Sequence, residues 1–259
     1  MTYENKLLLS LVGEISELEK IKYLKANLNL KEILQLHKNH STSRLYEKYL
    51  RFKDYNCAFV DDFFYPIDLI KVAIPPFRIA STKSFPSTFD SHLGILGSSN
   101  PSFSFLEEYY KFGIEIAKNN LNLIILNFSG ISKIIQKGYL KIKRENYCLL
   151  ASGFSILDSY PFHPKQTVYL SPFEVDLKPS RESFLQTYEI YGSLLDHLIL
   201  FQLGKNDDCT KAINRALDCG TNIFVHKSAT IKNEKNEVSY SVVEEGCKSI
   251  NSIKDIYYN

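Results

Sequence analysis

The run His92-Leu93-Gly94-Ile95-Leu96-Gly97-Ser98-Ser99-Asn100 is apolar and ends in glycine and small polar residues, with Pro101 and a helical pattern from Ser102 to Lys118 behind it. It reads as a buried strand, a tight turn and a helix start. Free N–H groups at such a helix start, beside a glycine that lets a ligand approach the main chain, make an anion site. A second chemical signal lies at Ser129–Arg144, which carries Lys133, Lys137, Lys141, Lys143 and Arg144 and no acid. Lys133, Lys137 and Lys141 stand four apart, so on a continuous helix they form one basic stripe. Such a stripe attracts phosphates in a salt-sensitive, sequence-blind way. The competing reading is an ordinary solvated helix face.

Other chemistry finds little support. There is no Walker loop, no GxSxG elbow and no complete GxGxxG. Cys57, Cys148, Cys209, Cys219 and Cys247 include no CxxC pair, and no two of the six histidines have HExxH spacing, so no metal or redox motif is read. Cys148 falls in an apolar run and reads as core. Asp207-Asp208 reads as an acidic helix start rather than a cation site. The 17 Tyr and 17 Phe, with no Trp, supply rings that can stack on bases where they are exposed. No cofactor is implied.

The elements that must position these residues follow from pattern. With 259 residues, 44% hydrophobic, the chain can bury a sizeable core, and a formal net charge of +2 leaves charge distribution rather than total charge to decide partners. The opening apolar run is short and soon followed by acids, so neither a signal peptide nor a membrane span is expected and a cytoplasmic protein is. Residues 1–56 read as a helical region of two or three helices, with Asn29 or Leu28 near the second helix start. Residues 57–91 read as a connecting segment, with Tyr65-Pro66, Ile74-Pro75-Pro76, a brief extended piece at Phe77–Ala80 and a linker from Ser84.

From His92 to the end, strands alternate with helices. Strands are expected at 93–96, 123–128, 148–152, 167–170, 197–203 and 222–225, and helices at 103–118, 131–140, 185–194 and 209–218. A short amphipathic piece ends near Ile256. Continuous apolar strands such as Leu123-Ile124-Ile125-Leu126 imply burial on both faces. The expectation is a Rossmann-like, doubly wound, mostly parallel α/β sheet with a small N-terminal helical region. Ligands in that architecture sit beyond the carboxyl ends of the strands, where Gly97, Ser129-Gly130 and Ser152-Gly153 fall.

In their order along the chain, these segments resemble the DNA-processing protein A (DprA, or Smf) family over nearly its whole length. Tyr65-Pro66 with Ile74-Pro75-Pro76 is similar to the family's YPxxLxxI-x-PP opening, and Leu93–Ser99 to its VGSR strand and turn. Ser152-Gly153-Phe154 through Asp158-Ser159-Tyr160-Pro161 resembles GxGLDxxYPxxN, and Phe184 through Asp196 resembles FPxRNRIIAxLSD. Ala216–Gly220 with Ile223-Phe224-Val225 resembles the helix and last main strand, and Val243–Cys247 to Asp255-Ile256 the family's closing segment.

The resemblance implies a non-enzymatic, dimeric Rossmann-like protein that binds single-stranded DNA and helps load the recombinase RecA during uptake of transforming DNA. The departures lie at the family's charged positions. Ser99 stands for the arginine of GSR, Thr187-Tyr188-Glu189 for RNR, and Ser132 for an acid after Gly130-Ile131. The site expected is therefore Gly97, Ser98, Ser99, Asn100 and Gly130 offering backbone and hydroxyl donors to phosphate. Lys133 and Lys137 neutralise neighbouring phosphates, Lys165 supplies a nearby loop, and Tyr188 replaces a lost contact by stacking. Two other readings are a nucleotide-binding or nucleotide-cleaving Rossmann-class enzyme, and an interaction protein whose DNA site has decayed.

Overall fold

A computed structural model describes residues 1–37, 42–85, 91–127, 130–159, 164–205 and 209–257. The expectations placed on His40, Phe128, Ser129, Tyr160-Pro161, His163 and Asp207-Asp208 lie outside the described residues. Four helices open the chain: α1 (Tyr3–Ser10), α2 (Glu17–Lys25), α3 (Leu30–Leu36) and α4 (Thr42–Phe52). This exceeds the two or three expected, because capping chemistry divides the run. Ser16 with Glu19 and Asn29 with Glu32 form reciprocal capping boxes that start α2 and α3. Asn27, at φ 53°, closes the turn between them.

The rest of the chain builds one nine-stranded sheet. Its strands are β1 (Asn56–Phe59), β2 (Arg78–Ser81), β3 (His92–Leu96), β4 (Asn122–Leu126), β5 (Asn146–Leu149), β6 (Thr167–Ser171), β7 (His197–Leu200), β8 (Asn222–His226) and β9 (Lys248–Ile250). Their order is β1-β2-β6-β5-β4-β3-β7-β8-β9, with β2 antiparallel to both its neighbours and every pair from β6 to β9 parallel. The connecting helices are α5 (Leu106–Lys118), α6 (Ile131–Leu140), α7 (Arg181–Ser193), α8 (Thr210–Asp218) and α9 (Glu237–Glu244). The expected doubly wound, mostly parallel architecture is present. The segment expected only to connect also contributes β1 and β2 to the sheet, and the tail contributes β9.

Burial follows strand alternation. Leu123 and Ile125 of β4 join the core under α5 and α6 with Tyr109, Phe112 and Ile135. Ile124 and Leu126 join the opposite core with Ile190, Tyr191 and Ile213 of α7 and α8. Cys148 is fully buried, as its apolar surroundings imply. The α5–α6 pair approaches closely through two glycines. A methyl group on Gly138 would stand 2.0 Å from the Tyr110 carbonyl oxygen, and one on Gly113 2.0 Å from that of Ile135.

The N-terminal helices are tied to the sheet by Arg78, which is 3% exposed. Its guanidinium lies 3.8 Å from the centre of the Phe52 ring and donates to Ser10 Oγ and to the Phe173 carbonyl, both at 2.9 Å. The Tyr65 hydroxyl closes the proline-rich segment by donating to the Pro76 carbonyl at 2.6 Å.

Overpacking at the glycine contact is expected to cost about 1–3 kcal/mol. Gly138→Ala should therefore lower the thermal midpoint by roughly 3–10 °C in a calorimetric or circular-dichroism melt. An unchanged midpoint would show that the helices move apart freely.

Candidate functional site

The connections after β3 and β7 leave in opposite directions, α5 and α6 covering one face of the sheet and α7 and α8 the other. In open α/β sheets this switch point is where a crevice forms beyond the strand ends. Here the strands also part. β3 pairs with β4 only through Gly94↔Ile124, while Ile95 and Leu96 continue on β7 and Ile125 and Leu126 continue on β5. The Tyr191 hydroxyl fills the gap. It accepts from Ile95 N–H at 2.6 Å and faces the carbonyl oxygens of Ile95 and Ile124, both at 3.0 Å. A side chain on Gly94 would collide with this ring and with Leu195. Complete burial raises the Tyr191 phenol pKa, so it stays protonated and keeps its donor.

Above the parting, the turn after β3 is held from two sides. Ser98 N–H donates to the Gln202 carbonyl at 2.7 Å, and Ile131 N–H donates to the Ser98 carbonyl at 3.1 Å. Gly130, at φ 84°, is the N-cap of α6, and a Cβ there would lie 2.2 Å from the Ser98 carbonyl oxygen. A Cβ on Gly97 would strike Ile131 at 2.8 Å. The glycines thus let two turns close on each other, a correction to the expectation that Gly97 opens the main chain to a ligand. Ser98 Oγ accepts from Asn100 N–H at 3.2 Å, which leaves its own proton to donate. Ser99 and Asn100 are exposed.

The two nearby helix starts differ in charge. The first turn of α5 carries Glu107 and Glu108, which oppose an anion there and correct the expectation of an anion site at that helix start. The first turn of α6 has no acid and no side-chain cap. Its Ser132 and Lys133 amides belong to the set that an α-helix leaves without internal partners. The anion-competent end is therefore that of α6, beside Ser98–Asn100.

In structure, the chain is similar to DprA of Streptococcus pneumoniae, with a TM-score of 0.77 and 17% identity over 99% of this chain and 97% of that one. It is also similar to DprA of Helicobacter pylori, whose structure is described in terms of its single-stranded DNA binding mode. There the TM-score is 0.62 and the identity 17%, over 78% of this chain and 94% of that one. The chain has the DprA fold. Neither a protein-family profile nor a curated protein matches the sequence.

Within the DprA fold the expected site residues divide. Gly97, Ser98, Ser99, Asn100 and Gly130 come together at the carboxyl edge of the sheet. Lys133 is close by in sequence, but its ammonium is half-buried and donates to Gln136 Oε1 at 3.2 Å. Lys137 is exposed on α6, and Lys141 follows the helix at the opposite edge of the sheet. Lys165 precedes β6 and so also lies at that opposite edge, where its carbonyl accepts from Lys83. Tyr188 is half-buried on α7 against the second core. Thr187 is fully buried and donates to the Ser183 carbonyl at 2.7 Å. Ser152-Gly153 is covered by the loop after β6, where Gly153 N–H donates to the Leu177 carbonyl at 2.9 Å.

Sequence reasoning passed over cations that the DprA fold carries to the carboxyl edge: exposed Arg181 at the start of α7, Lys205 after β7 and Lys227 after β8. For Lys205 and Lys227 the signal was position soon after an apolar strand, and for Arg181 position at a helix start, rather than clustering. A cavity of about 350 Å³ lies between the N-terminal helices and the loop after β6, lined by Lys20, Glu17, Arg78 and Glu174 among others. Its two acids are paired, Glu17 with Lys20 and Glu174 with Lys48, both at 2.7 Å, and Arg78 is held by the neutral Ser10 hydroxyl and Phe173 carbonyl. Among the described residues, no group of three or more His, Cys, Asp or Glu could hold a metal ion, and no helix is long and apolar enough to cross a membrane.

At the end of β8, His226 is fully buried and stacks on Phe201 with ring centres 4.6 Å apart. Its Nδ1 accepts from Ser228 N–H at 3.2 Å, so Nε2 carries the proton, 3.5 Å from Glu108 Oε1. Ser228 is itself buried, its Oγ 2.9 Å from the Tyr109 hydroxyl. The group secures a loop rather than presenting a nucleophile. Burial, with Lys227 adding to it, pulls the His226 pKa down to about 4. The desolvation outweighs the pull of Glu108, whose side chain is 44% exposed and solvated.

Two outcomes follow. Unfolded histidine binds its proton near pH 6.5 and folded His226 only near 4, so stability is full above that window and falls as pH drops through it. Denaturant unfolding at pH 7 and pH 5 should differ by about 2 kcal/mol from this group, with a flatter profile for His226→Gln. Tyr191→Phe leaves the Ile95 N–H without its partner and should cost about 1–3 kcal/mol, read as a lower thermal midpoint.

Proposed function

We propose that this chain is a divergent DprA-type protein that binds single-stranded DNA along the carboxyl edge of its sheet. The observation that carries the reading is the acid-free start of α6 closed against the Ser98–Asn100 turn, in a fold that matches S. pneumoniae DprA along its length. In this reading the amides of Ser99, Ser132 and Lys133, the Ser98 and Ser99 hydroxyls and the side-chain amide of Asn100 hold a phosphate. Gly97 and Gly130 let the two turns meet, and Lys133 and Lys137 neutralise the flanking phosphates. Arg181, Lys205 and Lys227 extend the positive edge, taking over from the arginines absent at Ser99 and Thr187. The protein acts by binding rather than by catalysis, as a cytoplasmic homodimer that delivers the strand to RecA for recombination during DNA uptake.

The test is fluorescence anisotropy of a labelled oligo-dT at low and moderate salt, beside a duplex of equal length. Expected is tighter binding to the single strand that weakens steeply with salt. Failure of the folded protein to bind either at low salt would overturn the reading and leave an interaction protein on the same fold. Replacing Lys133 and Lys137 by glutamate should weaken binding about tenfold and lower the salt slope by about 1.4. Unchanged affinity and slope would move the strand's path to Lys205 and Lys227.

A further inference from the structure

Phe103 is the most exposed large apolar side chain among the described residues, at 88%. It lies three residues beyond Asn100, between the turn after β3 and the start of α5. Single exposed apolar side chains are common on protein surfaces, so its setting has to carry the argument.

The backbone on both sides of Phe103 is fixed. Ser102 and Gln202 are joined by a reciprocal pair, Ser102 N–H donating to Gln202 Oε1 at 2.9 Å and Gln202 Nε2 donating to Ser102 Oγ at 3.1 Å. Gln202 is 2% exposed, and its carbonyl is the same one that holds Ser98 N–H. On the other side, Phe105 N–H donates to the Ser102 carbonyl at 3.1 Å and the Phe105 ring stacks on Tyr109 with centres 6.0 Å apart. Phe105 is thus turned inward while Phe103, two residues earlier, is turned out. Ser98 is held by the Gln202 main-chain carbonyl and Ser102 by the Gln202 side-chain amide, so the backbone that carries the ring and the turn are referenced to one buried residue.

The surroundings select the ligand. In sequence the ring is flanked by Ser99, Asn100, Ser102 and Ser104, a set of hydroxyls and an amide. One flat apolar face bordered by phosphate-binding groups matches one nucleotide with its base unstacked. A stable protein interface needs about 800 Å² on each partner, which a lone ring does not supply. Glu107 and Glu108 beyond the ring repel the sugar-phosphate chain on that side and direct it across the Ser98–Asn100 turn.

We propose that Phe103 is a stacking platform for an unpaired nucleobase, whose adjoining phosphate sits on the turn after β3. This rests on the DNA-binding reading above and adds the part of the ligand it grips and the reason for preferring single strands. In a duplex the base faces are taken up by their neighbours and cannot reach the ring.

The chain has no tryptophan, so Phe103→Trp installs a single fluorescent reporter at the platform. Expected for Phe103→Ala is a loss of about tenfold in affinity for oligo-dT, with the salt slope and the weak duplex binding unchanged. An oligonucleotide of abasic sites with the same number of phosphates should bind the wild-type protein more weakly than oligo-dT, and Phe103→Ala should erase that difference. Phe103→Trp should retain affinity, with its emission quenched as oligo-dT saturates the protein. Wild-type affinity in Phe103→Ala, or emission from Phe103→Trp that is unchanged at saturation, overturns the stacking platform while the DNA-binding reading stands. Absence of oligo-dT binding by the wild-type protein overturns that reading and the platform with it.

Discussion

The candidate site depends on one hydroxyl placed where two strands of a parallel sheet separate. Ile95 has lost β4 as a hydrogen-bonding neighbour, and its buried N–H and carbonyl would each carry a desolvation penalty. The Tyr191 hydroxyl, as acceptor and donor, answers both and reaches Ile124 as well. The parting is therefore a stable feature of the sheet. It gives the turn after β3 and the start of α6 room to meet above it, and their contact brings an uncapped helix end beside Ser98–Asn100. Tyr191 sits on α7, on the far face of the sheet from α6, so the geometry of the site is fixed from behind.

Much of this was legible in the sequence where periodicity speaks. Helix α6 spans the residues expected, because Gly130 marks its start and apolar residues recur at helical spacing to Leu140. The apolar runs of β3, β4, β6 and β8 lie within a residue or two of expectation. Strands β1 and β9 escaped because three or four residues give too short a pattern, and β9 is drawn to its place by pairing with β8 rather than by its own composition. The turn after β3 was legible as a turn. The parting of the strands was not, since no local pattern announces that a tyrosine nearly a hundred residues later will replace a strand partner.

The charges illustrate the same limit. Helical spacing places Lys133, Lys137 and Lys141 on one stripe that starts near the strand ends, but does not show what each ammonium meets. The stripe runs away from the carboxyl edge, and its nearest member is partly spent on Gln136. Arg181, Lys205 and Lys227 form no cluster in the sequence, yet the sheet carries all three to the edge where a ligand is expected. Topology gathers scattered cations at one edge, where Lys205 also faces Glu237 at 4.0 Å, and a reading by local density misses that gathering.

Arg78 bears on the order in which the molecule assembles. Its guanidinium joins Ser10 and Phe52 of the N-terminal helices to Phe173, across sequence separations of 68 residues on one side and 95 on the other. The four helices are made before the sheet, and while Asp61, Asp62 and Phe77 reach them early, the Phe173 carbonyl that completes the Arg78 clasp arrives only after β6 has been made. Contacts this distant in sequence pay their loop-closure entropy late. This earlier-made helical part is thus fully locked only once β6 and its loop are in place. Until then its apolar faces wait, a stretch of synthesis in which a chaperone has the most to protect.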